Sequence, residues 1–269
     1  MTTTAMTPAA PRLTPGRVAR SEWIKFRSVR SSIWALAATA VAIAGTGLLL
    51  TAISRGHLAA SGRQETHIDP VRISLFGMYL AQLTVGLLGV MLATGEYATG
   101  MIRATLSAVP RRLTVLGAKL GVFAVVVTAT CEAALFITFL ACQVMLSSQH
   151  AGVSLAAPGV LRAVVGTGLY LTLVGVLGIA LGFAIRNTAG AAAVMFAAVL
   201  VVPEVLGAAL PSDWADRILP YLPSNAGQAI MNVQPAPDTM APWPGLTLFA
   251  GYTALAVAVA ALLLKRRDA

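Results

Sequence analysis

Six apolar runs dominate the chain, at about residues 33–53, 73–94, 116–145, 160–185, 189–210 and 245–264. A helix needs about 20 residues to cross the hydrocarbon core of a bilayer, and each run is long enough. The pattern therefore predicts six transmembrane helices. The first run is longer than the about 7–15 residues of a signal-peptide core, so it is expected to stay as a span. The third run, 116–145, overshoots the core and is expected to project beyond it or to tilt.

The polar intervals are patterned too. Residues 1–16 are rich in Thr, Ala and Pro, lack apolar periodicity, and are expected to form a disordered tail ahead of a single transmembrane domain over 17–269. Arg17 to Arg30 reads as an amphipathic helix. Val18, Ala19, Trp23, Phe26 and Val29 share an arc, with Arg17, Arg20 and Arg27 opposite, as for a helix resting at the membrane interface. Between the second and third runs, Glu96 to Arg112 is two-faced if helical. Glu96, Thr99, Gly100, Arg103 and Ser107 fall on one side, and Tyr97, Met101, Ile102 and Leu106 on the other. That segment is expected to offer its polar face to the cytosol. Residues 211–244 hold seven of the chain's 14 prolines around two candidate short helices, Trp214–Leu219 and Asn225–Val233, with Ser224 placed to cap the second.

Composition sharpens the class. Hydrophobic residues make up 57% of the chain and charged residues 11%, less than half the charged share of a soluble domain. An all-α integral membrane protein is expected. The 19 Lys and Arg against 10 Asp and Glu cluster beside apolar runs, where anionic headgroups sit. No basic tract interleaved with aromatics offers a nucleic-acid footprint. If both termini are cytoplasmic, 14 of the 19 basic residues lie inside, and such a bias sets orientation. Cys131 and Cys142 are too far apart along a helix to bridge each other.

The chemistry is sparse. The chain has no G-x-x-x-x-G-K-[ST] phosphate loop and no H-E-x-x-H. His57, His67, Glu65 and Asp69 match no metal-ligand spacing, so no metal site is assigned. Two acids lie inside apolar runs. Glu132, in the third, would cost on the order of 3 kcal/mol if charged there. It is expected to face other helices or a polar cavity, as a substrate-path residue or a neutral packing group. Glu204 follows Pro203, which is expected to bend the fifth span.

Three features then converge: six spans with both ends inside, Ser21-Glu22-Trp23-Ile24-Lys25 on a basic amphipathic helix, and Glu96-Tyr97-x-x-Gly100-Met101-Ile102-Arg103-x-Thr105-Leu106-Ser107-x-x-Pro110-Arg111-Arg112 with Lys119 following. Together they resemble the ABC-2 type permeases, the membrane subunits of bacterial ATP-binding cassette exporters. The resemblance covers the chain from residue 17 onward. It implies a non-catalytic subunit in the bacterial cytoplasmic membrane, paired with a second permease copy or a related permease. Two separate ATPase subunits would carry the ATP and Mg, with no cofactor on this chain. It further implies a coupling helix on which Glu96, Gly100, Arg103 and Thr105 meet the ATPase, while Tyr97 and Leu106 seat the helix on the bundle. Arg17, Arg20, Glu22, Trp23, Lys25, Phe26 and Arg27 would form the connecting helix, and the Pro-rich stretch an external re-entrant region. The implied cargo is hydrophobic or amphipathic: a drug, an antibiotic or a lipid. The competing expectation is a proton-coupled secondary transporter using Glu132 and Glu204.

Overall fold

The computed structural model describes residues 14–60, 69–102, 112–148, 150–234 and 239–266, with the backbone alone at 57–60. Among these residues every regular element is helical. They include six helical segments long and apolar enough to cross a membrane: 30–56, 70–98, 112–147, 160–185, 188–209 and 242–266.

Helix α1 (Pro15–Ser28) precedes α2 (Arg30–Ala60). It starts two residues before the expected boundary because Pro15 occupies its first turn, where a missing N–H costs nothing. A short α3 (Pro70–Leu75) leads into α4 (Met78–Ala98). Asp69 caps α3 through Oδ1, which accepts from the backbone N–H groups of Val71 and Arg72; His67 and Glu65 lie outside the described residues. Then come α5 (Arg112–Ser147), α6 (Val160–Ile185) and α7 (Thr188–Phe196). A π-turn over Ala197–Val201 joins α7 to α8 (Val202–Ala209). The helix widens just ahead of Pro203, where a π-turn lets the chain absorb the missing donor.

The Pro-rich stretch forms α9 (Ser212–Ile218) and α10 (Pro223–Gln228), each followed by a 3₁₀ turn, before α11 (Pro242–Arg266). Ser224 is not the cap expected of it. It lies inside α10, whose N-cap is Leu222, and its hydroxyl is buried without a partner.

Helix α6 is the axis of the bundle, packing on α4, α5, α7 and α11. Its central window is 67% buried, against 22% for each of α2, α5, α7–α8 and α11. Its closest neighbour is α4, and glycine makes that approach possible. A β-carbon at Gly89 would strike the Gly175 carbonyl, and one at Gly178 the Gly86 carbonyl. Small residues let helix backbones meet in this way. The outer helices expose Val41, Leu49, Val125, Ile137, Val144, Leu255 and Leu262, an apolar surface suited to lipid.

Candidate functional site

At one end of the bundle α1 lies against α5. Val18, Glu22 and Phe26 recur at four-residue spacing on its buried face, and the Phe26 ring meets Phe123 of α5 edge-on at 6.4 Å. Trp23 and Val29, expected on the buried arc, are instead exposed, whereas Glu22 is buried and Lys25 half-buried. The helix is rotated toward its own acid. Arg17, Arg20 and Arg27 are exposed, as expected.

The rotation is explained by what Glu22 meets. The Lys119 ammonium of α5 donates to Glu22 Oε2 at 2.7 Å and to Glu96 Oε1 at 2.9 Å. Lys25 donates to Glu22 Oε1 at 2.7 Å and to the same Glu96 oxygen at 3.2 Å. Two carboxylates and two ammoniums thus share one neutral cluster built from α1, the end of α4 and the start of α5. The Lys119, Glu22 and Glu96 side chains are 2%, 4% and 5% exposed, so each charge depends on the others for solvation. Burial works to raise the Glu22 carboxyl, but Lys119 and Lys25 outweigh it and hold it below its ordinary value. Burial likewise works against the Lys25 ammonium, and Glu22 and Glu96 override it to raise that pKa.

Glu96 therefore does not present itself to the cytosol as the amphipathic reading expected. Nor do 96–112 begin as one continuous helix. Helix α4 stops at Ala98, and Gly100 adopts a left-handed φ of +70° before Met101 and Ile102 turn helical again. A non-glycine residue pays a steric cost in that conformation. The kink takes Gly100 off the face it would share with Glu96 on an unbroken helix. Ile102 is buried in the main apolar core and Met101 is exposed. Arg103, Thr105 and Leu106 lie outside the described residues.

Tyr97 seats this corner on the bundle. Its ring meets Phe183 of α6 edge-on at 6.0 Å, and the Arg186 guanidinium lies 5.0 Å from its centre. Arg186 ends α6 in a left-handed conformation. One helix over, Arg112 donates to the Leu264 carbonyl of α11 at 2.9 Å. The ends of α4, α5, α6 and α11 are thus tied together around the point where the chain leaves α4 and re-enters α5.

The two intramembrane acids behave differently. Both carboxyl oxygens of Glu132 are buried without a hydrogen-bond partner. They lie against Gly168 of α6, where a β-carbon would run into the carboxyl group. One turn away Thr128 and Thr172 share a hydrogen bond of 2.9 Å. Glu204 is exposed on α8.

Sequence reasoning passed over a second polar group. Tyr170 donates to Gln82 Oε1 at 2.7 Å and receives from Gln228 Nε2 at 3.4 Å, fully buried between α4, α6 and α10. A glutamine inside an apolar run was the available signal. Lys119 carried a similar one, being a cation inside an apolar helix that requires a carboxylate.

No family model matches this chain, and no curated protein matches it either.

Proposed function

We propose that this chain is the membrane subunit of an ABC-2 type exporter. In this reading it pairs with a second copy or a related permease in the bacterial plasma membrane, with both termini cytoplasmic. Two copies of a separate ATPase hydrolyse ATP with Mg and drive a hydrophobic or amphipathic cargo outward. The observation that carries the reading is the neutral cluster of Glu22, Lys25, Glu96 and Lys119. It fastens α1, α4 and α5 at the base of the segment that joins α4 to α5. A force applied to that segment would reach three helices together, because unlocking any one of them leaves a buried charge unpaired. The bending at Gly100 and the Tyr97–Phe183 contact support a fixed corner of the same kind.

The test is a cross-link from Arg103→Cys to a co-expressed ATPase, together with ATP-dependent, vanadate-sensitive transport in inverted vesicles. A folded permease that forms no adduct with any ATPase would sink the coupling role.

The unpartnered carboxyl of Glu132 favours a second reading, proton-coupled secondary transport. Transport that ignores vanadate, collapses with a protonophore and is lost in Glu132→Gln would replace the first reading with this one. Glu204, the second acid of that route, is exposed rather than buried.

A further inference from the structure

At the end of the bundle remote from the charge cluster, a cavity of about 320 Å³ opens between α3, the start of α4 and the cap made by α9 and α10. Arg72 and Tyr79 line one part of it, and Asp216, Asn225, Gln228 and Asn232 another. The volume is at the small end of the range for ligand pockets, enough for a headgroup or a small metabolite.

Its polar groups are of opposite kinds. Neither the Arg72 guanidinium nor the Asp216 carboxylate makes an ion pair with any described residue, although both face the same cavity. Asn225 gives its N–H to the Leu219 carbonyl at 3.0 Å, and Gln228 gives its own to the Tyr170 hydroxyl at 3.4 Å. Those bonds orient both amides and leave two carboxamide oxygens as acceptors. Three oxygen groups, one of them charged, match the three N–H donors of a primary ammonium. The guanidinium matches a phosphate or carboxylate.

The cap that supplies the acceptors is fixed before any ligand arrives. A β-carbon at Gly227 of α10 would strike the Tyr170 ring, and one at Gly245 of α11 the Ala226 carbonyl. The Tyr170 ring in turn packs on Phe249 at 5.2 Å. A preformed wall spares a ligand the entropy of ordering it.

We propose that this cavity is a binding site for a zwitterion, with Asp216, Asn225 and Gln228 holding its ammonium and Arg72 holding its anionic oxygen group. The site stands apart from the exporter reading and does not depend on it. The same chemistry is carried by a zwitterionic phospholipid headgroup and by a free zwitterionic solute.

The experiment uses the full chain in a neutral maltoside detergent and three probes followed by calorimetric titration. These are dihexanoyl phosphatidylethanolamine, free phosphoethanolamine and dihexanoyl phosphatidylglycerol. The first, the second or both bind saturably. Asp216→Asn weakens the ethanolamine probes at least about tenfold, the loss of a charge-assisted contact, and leaves phosphatidylglycerol unchanged. Arg72→Gln weakens all that bind by a similar factor. Binding of the lipid alone assigns the site to a headgroup; equal binding of phosphoethanolamine assigns it to a soluble zwitterion. Both side chains are exposed, so the variants should fold. Arg72→Lys and Asp216→Glu, which keep charge, serve as a second pair and retain binding to within about threefold. No saturable zwitterion binding by the wild type, or affinities indifferent to Arg72→Gln and Asp216→Asn, overturns the proposal.

Discussion

Replacing Lys119 with methionine removes the cation that bridges α1 and α4 from α5. The apolar stem is kept, so the change is one of charge. Glu22 Oε2 loses its 2.7 Å donor, and Glu96 Oε1 is left with Lys25 alone at 3.2 Å. Two carboxylates then share one cation that is itself 25% exposed. Breaking a buried pair from one side costs about 3–5 kcal/mol, and here the remaining Lys25 reduces the loss toward the lower figure. A loss of about 3 kcal/mol raises the undocking of α1 roughly a hundredfold. Hydrogen exchange of the amides in Arg17–Ser28, in detergent or nanodiscs, should accelerate by that factor while α6 stays protected. Adding Glu22→Gln to Lys119→Met restores charge balance around the Lys25–Glu96 pair. The double variant should recover to within about 1 kcal/mol of wild type, giving a large coupling energy in the cycle. Unchanged α1 exchange in Lys119→Met, or a double variant no more protected than the single one, would refute the account.

Three further outcomes follow from the packing and the charges. Gly178→Ala drives a methyl into the Gly86 carbonyl and should cost about 1–3 kcal/mol by overpacking. Gly45→Ala, in open space on α2, should be neutral or stabilising by up to about 1 kcal/mol; melting temperatures in detergent compare the two. Gly168→Ala collides with the Glu132 carboxyl and should lower the melting temperature, and Glu132→Ala in the same chain should restore most of the loss. Docking of α1 should be insensitive to pH across the neutral range and fail at both ends. Glu22, with its pKa held below 4.5, contributes fully above about pH 4.5 and loses its contribution as pH falls through the lowered value. Lys25, raised above 10.5, contributes fully below that pH and loses its share as pH climbs through the raised value. Trp23 fluorescence against pH reads both limbs.

The six spans were legible because each is a long, predominantly apolar run, a signal that survives any detail of packing. Pro203 announced an irregular fifth span, although the irregularity settled upstream as a π-turn at Ala197–Val201. The charge cluster was not legible. Sorting α1 by hydrophobicity puts Glu22 on the wet side, whereas its partner Lys119 lies 97 residues away in sequence. No local pattern carries a pairing of that range. The stretch after Glu96 misled for a related reason. Its periodicity fits a helix, but periodicity ignores that glycine at position 100 can take the left-handed conformation that ends one. Ser224 had the right residue type for a cap, but Pro223 at the first helical position took the start two residues earlier. The Arg72–Asp216 cavity joins residues 144 positions apart and had no sequence signature at all.

The neutral cluster also constrains how the chain is threaded into a bilayer. Lys25 is synthesised well before Lys119. Until α4 is made it meets Glu22 of its own helix but not Glu96, and it is one of several basic residues there that bias orientation. Once Lys119 arrives, both lysines are cancelled by Glu22 and Glu96. The knot can close only if α1 and the facing ends of α4 and α5 have come to rest on the same side of the membrane. A chain inserted with one of these on the wrong side would be left with a lysine and a carboxylate that never meet. Closure thus acts as a proofreading step for topology, and afterwards as a latch, since turning the α4–α5 hairpin over would mean opening a knot of four charges.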